Sequence, residues 1–262
     1  MPDAAWAQLE PLLAKQYPPA KTGRPRANLR QICNGIIFRL RSSCQWNQLP
    51  KIFGDDSTVH RWFQRWVKDG IFETLWATLL SDCEELHGVD WQWQSADGCM
   101  GKARMGGKKT GRNPTDRGKQ GTKTSLVVEA GGGPLGVMID GANVHDAKCL
   151  AETLKAIVVA RPKKFDQHLC LDKGYDNPTA RAAVKKAGYI PHIRRIGEEK
   201  QRPGQKKKHP ARRWVVERTF SWIKRCRALL VRYDKKAENY LGLLQLACAL
   251  LWFRRLVRLT PF

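Results

Sequence analysis

Apolar residues recur at helical intervals along the first third of the chain, and after residue 88 they alternate. Trp6, Leu9 and Leu13 share one face of a helix predicted over 3–14. The basic Pro/Gly stretch KQYPPAKTGRPRAN behind it cannot continue that helix, and a second helix is predicted over 28–41. In SSCQWNQLPKIFGDDSTVHRWFQRWVKDG, the apolar Trp46, Leu49, Ile52 and Phe53 predict a short helix closed by Gly54. Ser57 then stands at an N-cap position, and Val59, Trp62, Phe63 and Trp66 follow at i, i+3, i+4 and i+7 as one buried stripe. The opposite side carries His60, Arg61, Gln64, Arg65 and Lys68. A short helix, a tight turn and a basic helix fit a helix-turn-helix reading DNA, although a plain bundle with a solvated basic face has the same pattern. A helix over 71–86 closes this all-helical part, taken as residues 1–88.

From residue 89 the period becomes two. VDWQWQSADG reads as a strand stopping at Asp97-Gly98, and the glycine-rich KARMGGKKTGRNPTDRGKQGTK reads as a basic loop, mobile until phosphate orders it. TSLVVEA, the turn GGGP and LGVMID predict a hairpin, followed by a helix over 146–160, the strand HLCLD, a helix over 177–187 and the strand YIPHI. A second basic loop, KQRPGQKKKHPARR, leads into the helix of RRWVVERTFSWIKRCRALLVRYDKK. YLGLLQLACALLWF reads as a buried C-terminal helix, interrupted by Gln245 and short for a bilayer. The fold class is thus an all-helical head before an α/β body with a mixed sheet, the body spanning 89–262.

Charge changes this picture more than composition does. A formal +23 over 262 residues opposes compaction and points to a phosphate-rich partner, nucleic acid before an anionic membrane surface. The eight cysteines stand singly without a CxxC pair, which argues against zinc and for a reducing, cytoplasmic compartment, where a nucleic-acid partner would put the protein at the nucleoid. The opening MPDAAWAQLEPLL is acidic and amphipathic, unlike a signal peptide.

Against that positive background three carboxylates stand out. Asp97 and Asp172 each end a predicted strand, in SADG and LDKG, where open α/β sheets put their chemistry. At about 100° per residue, Arg213, Glu217, Ser221 and Lys224 share one quadrant of the helix predicted in RRWVVERTFSWIKRCRALLVRYDKK. Val215, Thr219, Trp222, Cys226 and Leu229 gather opposite, as the core-facing stripe. Taken singly, each aspartate is an ordinary turn residue and Glu217 an ordinary ion-pair partner of Arg213. Brought together they form a hard-oxygen site for Mg²⁺ or Mn²⁺, and two such ions can serve an in-line phosphoryl displacement. Arg213 and Lys224 would hold phosphates beside them. His145 and Asp146 are read as supporting or helix-capping residues.

The sequence resembles the DDE transposases of bacterial insertion sequences, the IS-five-like group with its IS-four-like relatives. Arg213, Glu217 and Lys224 are similar to that family's Arg/Glu/Lys signature, with Pro210 where a tyrosine is usual. Asp97 in ADGCMGKA and Asp172 in LDKGYD match its first two acids, and GGKKTGRNPTDRGKQGTKTSL and DGANVHDAKCL also look characteristic. The resemblance implies an RNase H-like catalytic body with metal on Asp97, Asp172 and Glu217. It implies binding of terminal inverted repeats in double-stranded DNA, cleavage at the ends and attack of the freed 3′-OH on target DNA. It also implies a homodimer or larger synaptic complex, with no membrane. Three other readings share parts of the pattern: an RNase H-like nuclease or resolvase without strand transfer, a non-catalytic DNA-binding regulator using 28–86, and a basic RNA-associated protein.

Overall fold

The computed structural model describes residues 2–19, 22, 23, 25–193 and 212–260. Four helices come first: α1 (Asp3–Gln16), α2 (Leu29–Ser42), α3 (Asp56–Lys68) and α4 (Ile71–Glu85). Asn28 caps α2 by accepting the Gln31 N–H. Between α2 and α3 the expected short helix is instead two 3₁₀ turns, Trp46–Gln48 and Lys51–Phe53. Pro50 divides them, because it lacks an N–H and holds Leu49 extended. Leu49 is buried and Trp46 and Phe53 pack partly buried against the core, whereas Ile52, of the expected apolar stripe, is 75% exposed. The expected basic second helix, α3, is thus preceded by this double turn, not by a short α-helix, and the double turn follows α2. The cap of α3 also differs: Asp55, not Ser57, accepts the Thr58 N–H at 3.0 Å, and Ser57 donates to Asp55.

The second part is a mixed sheet with strands β1 (Trp93–Ala103), β2 (Gly111–Arg112), β3 (Gln120–Glu129), β4 (Pro134–Gly141), β5 (His168–Leu171), β6 (Ile190–Ile193) and β7 (Val231–Arg232). Four helices complete the order: α5 (Asp146–Lys155) after β4, α6 (Pro178–Lys186) before β6, α7 (Trp214–Ile223), and α8 (Ala237–Leu259) at the end. β1, β3 and β4 form the antiparallel meander, with a bulge at Val127/Val128, and β5 and β6 add on in parallel. β1 does not stop at Asp97-Gly98. It continues against β3 as far as Lys102 opposite Gly121, because its whole length finds a partner there.

The other edge of β1 is only partly covered. β5 pairs with Trp93 to Ser95 and β7 with Lys102 and Ala103, leaving the stretch between them without a strand neighbour on that side. Asp97 lies in that gap.

One apolar core runs from the helices into the sheet. The indoles of Trp76 on α4 and Trp252 on α8 both donate to the Pro134 carbonyl, at 3.0 and 2.6 Å, fixing the helices to the start of β4. α8 extends well beyond the apolar stretch of the sequence. At 23 residues it is long and apolar enough to cross a membrane, yet about half of that stretch (56%) is buried inside the protein. α5 ends at Lys155, short of the expected 160, and Ile157 instead bridges to Gly136.

The basic loop after β1 is anchored. Arg232, 1% exposed, donates to the carbonyls of Lys108 at 2.7 Å, Lys109 at 3.1 Å and Lys235 at 3.2 Å, and to Thr122 Oγ1 at 3.2 Å. Gly107, at φ +111°, passes so close to Lys235 that any side chain would strike its carbonyl. The second basic loop, including Pro210, lies outside the described residues up to position 211.

Arg232→Ala would leave several buried carbonyls without donors. It should destabilise the fold by about 3 kcal/mol or more in urea unfolding and speed amide exchange across 105–112. Unchanged exchange there would show that other contacts hold the loop.

Candidate active site

Three elements meet beside the uncovered edge of β1. Asp97 projects from β1. Asp172 follows the last residue of β5 and opens the 3₁₀ turn Lys173–Tyr175, its Oδ1 accepting the Lys173 N–H at 2.5 Å. Glu217 lies in the first turn of α7, where a carboxylate is favoured by the helix dipole. Parallel pairing of β1 with β5 brings Ser95 opposite Cys170, so both strands deliver their acids at the same end.

One guanidinium faces all three acids. Arg213 Nη2 lies 3.0 Å from Glu217 Oε1, and its Nη1 lies 3.6 Å from Asp172 Oδ2 and 3.8 Å from Asp97 Oδ2. The three carboxylates, 120 positions apart at the extremes, thus share a single cation. The long distances to the aspartates mark charge attraction rather than full hydrogen bonds. Among the described residues no group of acids, histidines or cysteines closes into a metal-holding cluster: the acids surround Arg213, not one another. Their chemistry nevertheless suits a hard divalent cation, since all three offer carboxylate oxygens and the Asp172 and Glu217 side chains are 43% and 50% exposed.

Asp97 differs from the other two in being largely buried. Burial raises its carboxyl to about 6, and the charges of Asp146 and Asp172 push the same way. The Gly98 N–H and Arg213 pull against them. Lys224 sits at the end of α7 and its ammonium reaches Cys99 Sγ, two residues beyond Asp97 on the same side of β1. An open groove of about 550 Å³ runs between β1 and α7, lined by Asp97, Cys99, Glu217, Ser221 and Lys224 among others.

The buried stripe of α7 is Val215, Val216, Thr219, Phe220 and Ile223. Trp222 lies only at its margin, and Cys226 and Leu229 fall beyond the helix, which turns at Lys224 into a 3₁₀ turn, Arg227–Leu229. The predicted exposed side, with Arg213, Glu217, Ser221 and Lys224, is unaffected. At α5, His145 supplies the cap by accepting the Ala147 N–H at 3.2 Å. Asp146 starts the helix and pairs with Lys123 at 2.9 Å. Lys123 is an inward-facing lysine of β3 whose burial the alternation of TKTSLVV gives no reason to expect.

The candidate DNA-facing side of α3 separates into two groups. Arg61 and Lys68 are exposed. His60 stacks on Trp46 with ring centres 4.6 Å apart and bonds Gln64 at 2.9 Å, and burial lowers its pKa. Arg65 covers the rings of Tyr17 and Trp62 and approaches Asp69 at 3.8 Å, while its side chain stays more than half exposed.

A helical first part followed by a mixed sheet, with acids collected at the open edge of its longest strand, defines an RNase H-like α/β protein with a helix-turn-helix head. The known proteins agree. Residues 1–76 match the family described as "Putative transposase of IS4/5 family", and residues 87–252 match the "Transposase DDE domain" family. A Burkholderia cepacia protein, "Putative transposase for insertion sequence element IS402", is 35% identical over 160 residues, covering 59% of this chain and 74% of the relative. The "Insertion element IS402 uncharacterized 16.2 kDa protein" of the same organism is 28% identical over 116 residues, 43% of this chain and 79% of the relative. "Uncharacterized protein y4sN" of Sinorhizobium fredii (strain NBRC 101917 / NGR234) is 28% identical over 81 residues, 31% of this chain and 60% of the relative. The chain belongs to the DDE transposase family, in its IS4/5-related branch, and is an enzyme of that class. That family generally uses divalent metal ions.

The elevated value of Asp97 carries a signed consequence. A carboxyl with a folded-state pKa above its unfolded one favours folding in its protonated form, fully below pH about 4, and loses that contribution as pH rises through about 6. Asp97→Asn keeps the shape without the charge. In calorimetry of cation-free protein it should melt above the parent at pH 8 and alongside it at pH 4; identical melting at both would refute the burial argument.

Proposed function

We propose that this transposase binds the terminal inverted repeats of its insertion sequence, cleaves the DNA at the element ends and joins the freed 3′-OH to target DNA. The observation that carries the reading is the meeting of Asp97, Asp172 and Glu217 around Arg213 in a chain of charge +23. A surplus of bases this large gives no structural reason to collect three acids, whereas phosphoryl transfer does. Asp97, Asp172 and Glu217 would hold Mg²⁺ or Mn²⁺, as two ions, supplying the positive charge that an in-line displacement at phosphorus requires. Arg213, released from the acids, would turn its fork of N–H donors to a DNA phosphate, and Lys224 would hold a neighbouring one across the groove.

End recognition is assigned to the helical residues 1–88. Arg61 and Lys68 are exposed bases of α3 that would face the DNA, Arg61 bonding the Ser57 carbonyl and Thr58 Oγ1 on its own helix, with Arg65 reaching past its aromatic support. His60 and Gln64 act by holding α3 against Trp46. Because two element ends have to be processed together, the working form is a homodimer or a larger synaptic complex.

The test is incubation of purified protein with labelled inverted-repeat ends, a target plasmid and Mn²⁺. Joined products support transposition; cleavage without joining would mean a nuclease. Glu217→Gln should abolish cleavage while end binding stays within about twofold, and equal loss of both would make Glu217 structural. Arg61→Ala and Lys68→Ala should each weaken end binding and lower its salt dependence by about one unit of slope. Salt dependence equal to the parent's would take α3 off the DNA.

A further inference from the structure

We propose that Asp146 is a fourth carboxylate of the cation site, reaching Asp97 past Gly98 from the opposite face of β1. The inference rests on the cation-binding reading above and adds a residue to it.

Gly98 gives the first reason. Its φ is not among the positive values that glycine alone adopts readily, and it pairs regularly with Ser125, so the backbone does not need a glycine there. The space does. A Cβ at position 98 would lie 2.1 Å from Asp146 Oδ1, so the carboxylate occupies the volume that a side chain would take. Asp97 and Gly98 are consecutive on a strand, so Asp97 faces α7 while Gly98 opens the other face to α5. Beyond Ser95 no β5 residue pairs with β1, and groups on the two faces can meet around that open edge.

Lys123 gives the second. It is 4% exposed, donates to the Val144 carbonyl at 2.6 Å and pairs with Asp146 at 2.9 Å. It holds the carboxylate over Gly98 and balances its charge on this face, as Arg213 does for the other three acids.

Tyr175 supplies an independent sign. It is 2% exposed, and its hydroxyl has no hydrogen-bond partner among the described residues. Burial acts on it most, and the charges of Asp146, Asp97, Cys149 and Asp172 act on it next, so the hydroxyl lies within electrostatic reach of these acids. A buried hydroxyl calls for a partner, and a cation site with its bound water provides one. The Lys123 pairing alone would account for the glycine, but it would leave the orphan hydroxyl without an explanation.

The test is calorimetric titration of the full chain with Mn²⁺ alone, without DNA, for the parent and for Asp146→Asn, Gly98→Ala and Asp97→Asn. Asp146→Asn should weaken Mn²⁺ binding about tenfold, and Gly98→Ala, which displaces the carboxylate while leaving every charge in the chain, should do the same. Melting temperatures in chelator report whether each variant is folded, and Gly98→Ala serves if Asp146→Asn is not. Parental affinity in both variants, with loss only in Asp97→Asn, overturns the proposal and leaves the three-acid reading standing. Parental affinity in Asp97→Asn as well overturns both.

Discussion

The guanidinium of Arg213 is the interaction on which the site depends. Two like charges about 6 Å apart repel by about 3 kcal/mol at an effective dielectric near 20. Three carboxylates drawn from β1, the end of β5 and α7 would therefore push these elements apart if nothing stood between them. Arg213 stands one turn before Glu217 on the same helix, so docking α7 delivers the third acid and its neutralising charge together. The apolar face of α7, with Val216, Phe220 and Ile223, fixes how far that charge reaches. A planar fork with two usable nitrogens can face several acids at once, which a lysine ammonium does less well.

The sheet prepares the place for this helix. β1 is covered along one edge by β3 but only at its two ends by β5 and β7, and the stretch left between them is where Asp97 projects. A fully paired β1 would have buried that edge under another strand. Farther along, Arg232, the last residue of β7, ties down the Lys108 and Lys109 carbonyls of the basic loop after β1.

Much of this was legible in the sequence, and most of what was not has one cause. Helical spacing marked α1 to α4 to within a few residues, and alternation marked the hairpin of β3 and β4. What failed depended on partners distant along the chain. Asp97-Gly98 reads locally as a turn, yet β3 carries the strand through it, and the glycine makes room for Asp146. The loop after β1 reads as mobile, yet it is held by an arginine more than 120 residues away. The helix expected at 46–53 failed for a local reason, Pro50, which the apolar spacing outweighed in the reading.

The two halves of the chain divide their charges differently, and that bears on how they work together. In the head, Arg65 is supported by Tyr17 and Trp62, and His60 by Trp46, so the basic face of α3 is built on aromatic rings and carries few acids of its own. In the body, the acids are concentrated where β1 is open, and cations answer them on both faces: Arg213 on one, Lys123 on the other. Asp172, Glu217 and Arg213 are each about half exposed, so a polyanion at this edge meets acids and a base together. The same DNA charge that α3 attracts would compete with the acids for Arg213. On the proposed DNA-binding reading, a phosphate that takes the guanidinium would leave the acids freer to hold a cation, so DNA and cation binding would strengthen one another.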